Sequence, residues 1–284
     1  MKLLVMPNSK DEVKKTYLLV EGYILSLDKL SVNVDYTMSF SDLIDEIKFL
    51  KEKDKKVFVS LNKNMHNDDI PFLKDVLIKL NDLRIDGVFY YDAAVVNIKK
   101  EEMLDLKLVW NQEHMTTNYL SSDFWYENGA EYTCLSYELT KEEMEEITEK
   151  TKSKIIVPVF GYQPIFTSKR KLLSYYKEIF NVNSHSDDNF IFKEQREYPI
   201  IEKEHFFAIF TSKIFNGLKH LENLNADFFV FNSVFLSIDE IYELLSSINK
   251  LNVNEASEEI NDLYNTDTGF LYRKTVYKVK KDEK

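Results

Sequence analysis

The sequence predicts an α/β fold, a TIM-like (β/α)8 barrel, and three observations carry the prediction. Short apolar runs alternate with amphipathic runs from end to end. The apolar runs number eight. The 284 residues exceed the roughly 250 that such a barrel takes by about one insertion. Alternating β and α units with short connections put a parallel sheet inside a layer of helices. An open doubly wound sheet is the alternative, and the eighth strand argues for closure.

The elements follow in order. KLLVMPN reads as the first strand and DEVKKTYLLV as its helix. EGYILSL is the second strand, and SFSDLIDEIKFLKEKD is a helix that Ser39 or Ser41 can cap. KKVFVSLN precedes DIPFLKDVLIKLNDL, a helix with Pro71 in its first turn. DGVFYYD pairs with AAVVNIKKEEML, LKLVWNQ with TTNYLSSDFWYENG, and AEYTCLSYEL with TKEEMEEITEKTK. KIIVPVFGY is the seventh strand. ADFFVFNSV is the eighth, and SIDEIYELLSSINKLN follows with apolar residues three and four apart. The seventh unit is irregular. An insertion over about 168–219 contains NFIFKEQREYPIIEKEHFFAIF, which alternates as a β-hairpin does and is expected over one end of the barrel. No Pro/Gly/Ser-rich linker divides the chain, so residues 1–284 read as one domain. An ordered C-terminal tail is expected over 262–284, where Phe270, Tyr272 and Val276 follow a turn at Gly269.

Composition narrows the function. Against 37 Lys and Arg stand 48 Asp and Glu, a net charge of −11. Long-range repulsion therefore opposes general binding to nucleic acid or to an anionic membrane, while a local basic patch remains open. No run is long and apolar enough to span a bilayer, and the first residues do not form a signal peptide. The expectation is a cytoplasmic protein with no membrane partner. With 6 glycines and neither GxGxxG nor GxxxxGK[ST], a glycine-built phosphate cradle is not expected. The lone Cys134 cannot supply an internal disulfide or a four-cysteine iron–sulfur site. The histidines form no HExxH, and no metal is expected.

In a barrel the working side chains lie where strands end and loops begin. Those positions hold Asn62, Asp92, Asn111, Gln112, Glu138 and Tyr162, a polar ring suited to a small-molecule or nucleotide pocket. Asp92, Glu138 and Tyr162 are the catalytic candidates, the two carboxylates forming an acid/base pair if their surroundings separate their pKa values. Each such residue can equally cap a helix or satisfy loop backbone. Cys134 suits a nucleophile only with a base beside it, and its neighbours Tyr132 and Leu135 favour a packed core thiol. The stretch VFGYQPIFTSKRKLLSYY, 159–176, ends an apolar run in glycine, crosses a proline and gathers Ser168, Lys169, Arg170 and Lys171. It is either a solvated turn or the mouth of a site for phosphate or carboxylate. The binding candidates are Asn62, Asn111, Gln112, Ser168, Arg170 and Lys171.

That stretch, with AEYTCLSYEL before it and TDTGFLYRKTVYKVK at the end, resembles the peptidase U-32 (collagenase-like peptidase) family. KVFVSLN, DGVFYYDAAV and LVWNQEHMTTN extend the resemblance over nearly the whole chain, which looks like the short Gram-positive type. The resemblance implies a TIM-like barrel and a peptidase name. It also implies oxygen-independent hydroxylation, since members are linked to modification of a tRNA wobble uridine, a ribosomal cytidine or a quinone precursor. Those members usually carry a cluster on four cysteines, and this chain has one. The resemblance therefore implies a cluster-free component of tRNA wobble-uridine 5-hydroxylation that acts with a longer family protein on tRNA, with prephenate as co-substrate. A collagenase-like peptidase and a non-catalytic scaffold are the alternatives.

Overall fold

Every strand expected in the barrel forms, and each pairs in parallel with the next. The structure, a computed structural model, describes residues 1–181 and 189–274; Val276 and the rest of the expected tail beyond 274 lie outside them. The first six units are β1 (Leu3–Met6) with α1 (Lys10–Thr16), β2 (Gly22–Ser26) with α2 (Phe40–Glu52), and β3 (Lys56–Leu61) with α3 (Ile70–Asp82). Then come β4 (Gly87–Tyr90) with α4 (Ala94–Glu101), β5 (Leu108–Trp110) with α5 (Tyr119–Glu127), and β6 (Ala130–Cys134) with α6 (Lys141–Lys150). The irregular unit begins with β7 (Lys154–Gly161), β8 (Pro164–Ser168) and α7 (Leu172–Phe180). It continues through β9 (Phe190–Lys193), β10 (Arg196–Glu202), β11 (Phe207–Phe210), β12 (Ile214–Asn216) and the single turn α8 (Leu218–Leu221). The chain then supplies β13 (Phe228–Asn232), α9 (Ile238–Lys250), α10 (Val253–Leu263) and β14 (Thr266–Asp267).

Strands β1 to β7 run side by side, and β13 pairs in parallel with both β7 and β1. That double pairing closes an eight-stranded barrel and leaves it no free edge. Side chains alternate between two cores, as the period of a strand requires. Leu4, Ile24, Phe58, Phe89 and Ile156 point inward, while Leu3, Val5, Tyr23, Val57 and Val88 meet the helices. Phe58 touches Phe89, Tyr132 and Phe228 edge-on, with ring centroids 5.5 to 5.9 Å apart. These rings plug the lower half of the barrel. Above them Cys134, Val230 and Met6 form a floor facing the C-terminal mouth.

Strands β8, β11, β10 and β9 form a separate antiparallel sheet. Strands β9 and β10 meet at Glu194 and Gln195, both in the left-handed region with φ of 51° and 63°, as a tight hairpin turn demands. This sheet sits over the loop that follows β2. Val32 packs with Phe206, Ala208 and Phe210. His205 Nε2 lies 2.9 Å from the Ser31 carbonyl, and Lys203 pairs with Asp35 at 3.1 Å. The sheet thus roofs one side of the mouth. Its connection to the barrel passes through Gly161, where φ is 115° and an added Cβ would stand 2.2 Å from the Asn232 carbonyl oxygen. Only glycine fits there. Behind β12, Leu271 is fully buried and accepts from the Lys141 N–H at 3.0 Å, so the chain beyond β14 packs back against the start of α6. No helix among the described residues is long and apolar enough to cross a membrane.

A buried carboxyl group ties the first unit to the last. Glu12, at 0% exposure, accepts from the Asn8 N–H at 2.6 Å and from the Ser233 hydroxyl at 3.1 Å. Burial raises its pKa from 4.5 to about 7, against the pull of those two donors. The folded value lies above the ordinary one, so the neutral form fits the fold. Its stabilisation is full below about pH 4.5 and is lost as the pH rises through 7. Glu12→Gln keeps the neutral hydrogen-bonding shape. Thermal melts from about pH 5 to 8.5 are expected to show a flattened pH dependence, with the variant the more stable above pH 7.5 by about 3 kcal/mol. An equal decline with pH in both proteins would contradict this.

Candidate functional site at the barrel mouth

Between the strand ends and the roofing sheet lies a cleft of about 590 Å³, which narrows to an inner pocket of about 80 Å³ above the barrel floor. Val32, Asn33, Asn62, Glu113, Tyr137 and Pro164 line both. The inner walls are largely apolar, with Phe89, Phe160, Pro158 and Val230 among them. Lys63, Lys169 and His114 belong to the outer cleft alone.

Glu113 is the carboxyl group of the inner pocket. It follows β5 with φ of 49°, left-handed and unusual for a residue with a long side chain. Asn33, in the loop after β2, is also left-handed, at 63°. Asn33 Nδ2 donates to Glu113 Oε1 at 2.8 Å, and the Thr167 hydroxyl on β8 donates to Asn33 Oδ1 at 2.7 Å. Thr167, Asn33 and Glu113 therefore form a chain of hydrogen bonds from the roof to the pocket. Burial raises the Glu113 pKa, and the bond from Asn33 only partly offsets that. Burial, with the Glu113 carboxylate adding to it, pushes the Cys134 thiol up to about 12. A thiolate nucleophile at neutral pH is therefore strongly disfavoured. Burial and the same carboxylate also raise Tyr137, whose hydroxyl donates to the Pro164 carbonyl.

Two cations stand in the outer cleft. Lys63 is 8% exposed and pairs with Asp69 at 2.7 Å. Lys169 has no carboxylate within ion-pair distance among the described residues. Its pKa is lowered by desolvation first and by Lys63 second. A cation held near another cation, with Asp69 and Asp92 only partly offsetting the repulsion and the desolvation, is suited to an anionic ligand.

The expected site residues divide. Asn62 is buried and holds the β2 loop, its amide exchanging two bonds with the Val32 backbone at 2.9 and 3.1 Å. It also faces both spaces, while Asn111 lines the inner pocket and Ser168 and exposed Glu138 line the cleft. Asp92 is not among the lining residues. Its oxygens accept from the Met65 and Ala94 N–H groups, both at 2.9 Å, which is helix-start and loop bonding. Asp92 and Glu138 thus do not share the pocket. Gln112 turns away and donates to the Tyr91 carbonyl at 3.0 Å. Tyr162 packs edge-on against Phe235 outside both spaces. Arg170 and Lys171 point elsewhere, in front of a helix α7 already capped by the Glu202 carboxylate on the Leu173 and Ser174 N–H groups. Glu113, Asn33, Thr167 and Lys63 are not among the residues that the sequence marks for binding, whereas Lys169 belongs to the basic run that it does mark. Glu113 directly follows Gln112, and that adjacency is its only sequence signal.

Residues 25–273 match the profile of Peptidase family U32. The chain belongs to that family. It is 25% identical to tRNA hydroxylation protein P2 of Bacillus subtilis, over 97% of this chain and 98% of that protein. It is 24% identical to tRNA hydroxylation protein P1 of the same organism, over 51% of this chain and 34% of the longer protein. The solved U32 peptidase Mk0906 superposes with a TM-score of 0.54 at 14% identity, covering 81% of this chain and 92% of that one, and supports the fold alone. The family's four-cysteine cluster does not fit this chain. Its single thiol is the buried Cys134, and no three His, Cys, Asp or Glu among the described residues gather to hold a metal.

Proposed function

We propose that this protein is a component of tRNA wobble-uridine 5-hydroxylation, working in the cytoplasm with a longer, cluster-bearing U32 protein and with prephenate as the hydroxyl source. The observation that carries the reading is the similarity to tRNA hydroxylation protein P2, which runs the length of both chains. Physical support comes from the cleft. An otherwise acidic protein places Lys63 and Lys169 at the mouth of a pocket, where an RNA phosphate or a small carboxylate can be held. With one cysteine, redox chemistry on a cluster falls to the partner. The peptidase alternative rests on the family name, since the Cys134 thiol is pushed up to about 12 by burial.

The test is mass spectrometry of tRNA nucleosides from cells lacking the gene. Loss of 5-hydroxyuridine derivatives is expected. Wild type and Arg170→Ala should restore them, and Lys169→Ala should fall short about tenfold, the scale of one charged contact. An unchanged profile in the deletion strain would remove the reading.

The partner has a surface to meet. Tyr175, Tyr176, Ile179 and Phe180 on α7, with Phe190 and Phe192 on β9, are exposed, and no residue of α7 is buried. A monomer rarely leaves so many large apolar side chains in solvent. Ile179→Asp combined with Phe192→Asp is expected to abolish co-purification with the longer family protein while leaving the melting temperature unchanged. Undiminished co-purification would place the partner on another face.

A further inference from the structure

The two spaces at the mouth differ in charge. The inner pocket has one ionisable carboxyl group, Glu113, and no lysine, arginine or histidine among its lining residues. All of the cleft's basic side chains, Lys63, Lys169 and His114, stand further out. A ligand matched to this gradient is neutral and polar at its inner end and anionic at its outer end. A dicarboxylate would set one of its charges beside Glu113 with no cation to meet it.

Glu113 can present a defined face to such a ligand. Asn33 donates to Oε1, which fixes that oxygen as an acceptor with capacity to spare. In the neutral acid Oε2 carries the proton. Oε1 and Oε2–H then stand side by side as acceptor and donor. The complementary partner is a ring edge with adjacent N–H and C=O groups, the edge of a uracil-type base. Phe89, Phe160 and the two prolines supply apolar walls, as pockets for a base taken out of its stack do.

We propose that Glu113 reads the N3–H and C4=O edge of a uridine nucleotide whose base edge enters the inner pocket and whose phosphate rests against Lys63 and Lys169. This rests on the tRNA reading above and deepens it. Burial favours the neutral acid that the pairing needs. The left-handed backbone at Glu113 is the strain expected where a loop is held for a ligand. Thr167 links this reading head to the roof, so the roofing sheet positions Asn33, and Asn33 positions Glu113.

The test is calorimetric titration of the full chain with uridine 5′-monophosphate, its N3-methyl analogue and prephenate. Wild type is expected to bind uridine monophosphate at least about tenfold tighter than the N3-methyl analogue, the scale of a paired base-edge contact. Glu113→Gln offers the same donor and acceptor as the neutral acid and should keep the preference. Glu113→Ala should lose it while still melting cooperatively, below wild type by the cost of the broken Asn33 contact. Equal binding of the two nucleotides by wild type would overturn the proposal. So would loss of the preference in Glu113→Gln as complete as in Glu113→Ala, binding of prephenate with no binding of the nucleotide at millimolar concentration, or no binding at all. The titration is independent of the cellular nucleoside profile. Selective nucleotide binding with an unchanged profile would sink the pathway assignment and leave the pocket's chemistry standing. A lost profile without nucleotide preference would do the reverse.

Discussion

The site depends on one hydrogen bond, from Asn33 Nδ2 to Glu113 Oε1 at 2.8 Å. It joins a loop after the second strand to a loop after the fifth; both residues are left-handed, a conformation that Asn33 tolerates and that is unusual for Glu113. Asn33 is buried and Glu113 half-buried, so an unpaired amide there would cost more than the pair returns. Removing Glu113 would leave the buried Asn33 with its Thr167 bond and an amide N–H that has lost its partner. The contact fixes where the carboxyl group stands, while burial, which the Asn33 bond partly offsets, raises its pKa.

The barrel makes the contact possible. Strand β13 pairs with both β1 and β7, which fixes the spacing of every strand end around the mouth. The roofing sheet then covers one side and seats on the β2 loop through Val32, His205, Lys203 and Thr167. Function is carried by loops and the barrel holds them still, the usual division of labour in this fold. Glu12 serves the same end on the opposite seam, linking the turn after β1 to the turn after β13 through Asn8 and Ser233. Gly161 is where the barrel lets the chain leave for the roof, and the Asn232 carbonyl leaves no room for a side chain there.

The barrel was legible in the sequence because strand and helix periods are local. Each of the eight apolar runs became a strand, and Ser39 took the cap that Ser39 or Ser41 could have taken. Pro164–Ser168 was not legible as a strand. It alternates weakly and exists only through pairing with β11, some forty residues on. Helix α10, begun by Asn252, lies in a polar segment whose buried face is narrow: Ala256, Ser257 and Ile260. At the site, strand ends could be found but not side-chain directions. One left-handed residue after β5 turns Glu113 into the pocket, while Gln112 bonds to the Tyr91 carbonyl. Asp92 illustrates the common fate of a polar strand end, its oxygens taken by two backbone N–H groups. The basic run was visible, yet which of its members faces the cleft is decided by where β8 stops and by Glu202 capping α7.

The most direct test of the central claim, that RNA is worked on at the barrel mouth, is photo-crosslinking. A tRNA anticodon stem–loop carrying 4-thiouridine at the wobble position would be irradiated with the protein and the longer U32 protein proposed as its partner, and the adducts mapped by peptide mass spectrometry. The account predicts adducts on this chain within residues lining the cleft, around Glu113, Tyr137 and 164–169. Adducts confined to the partner, or to surfaces of this chain remote from the mouth, would contradict it.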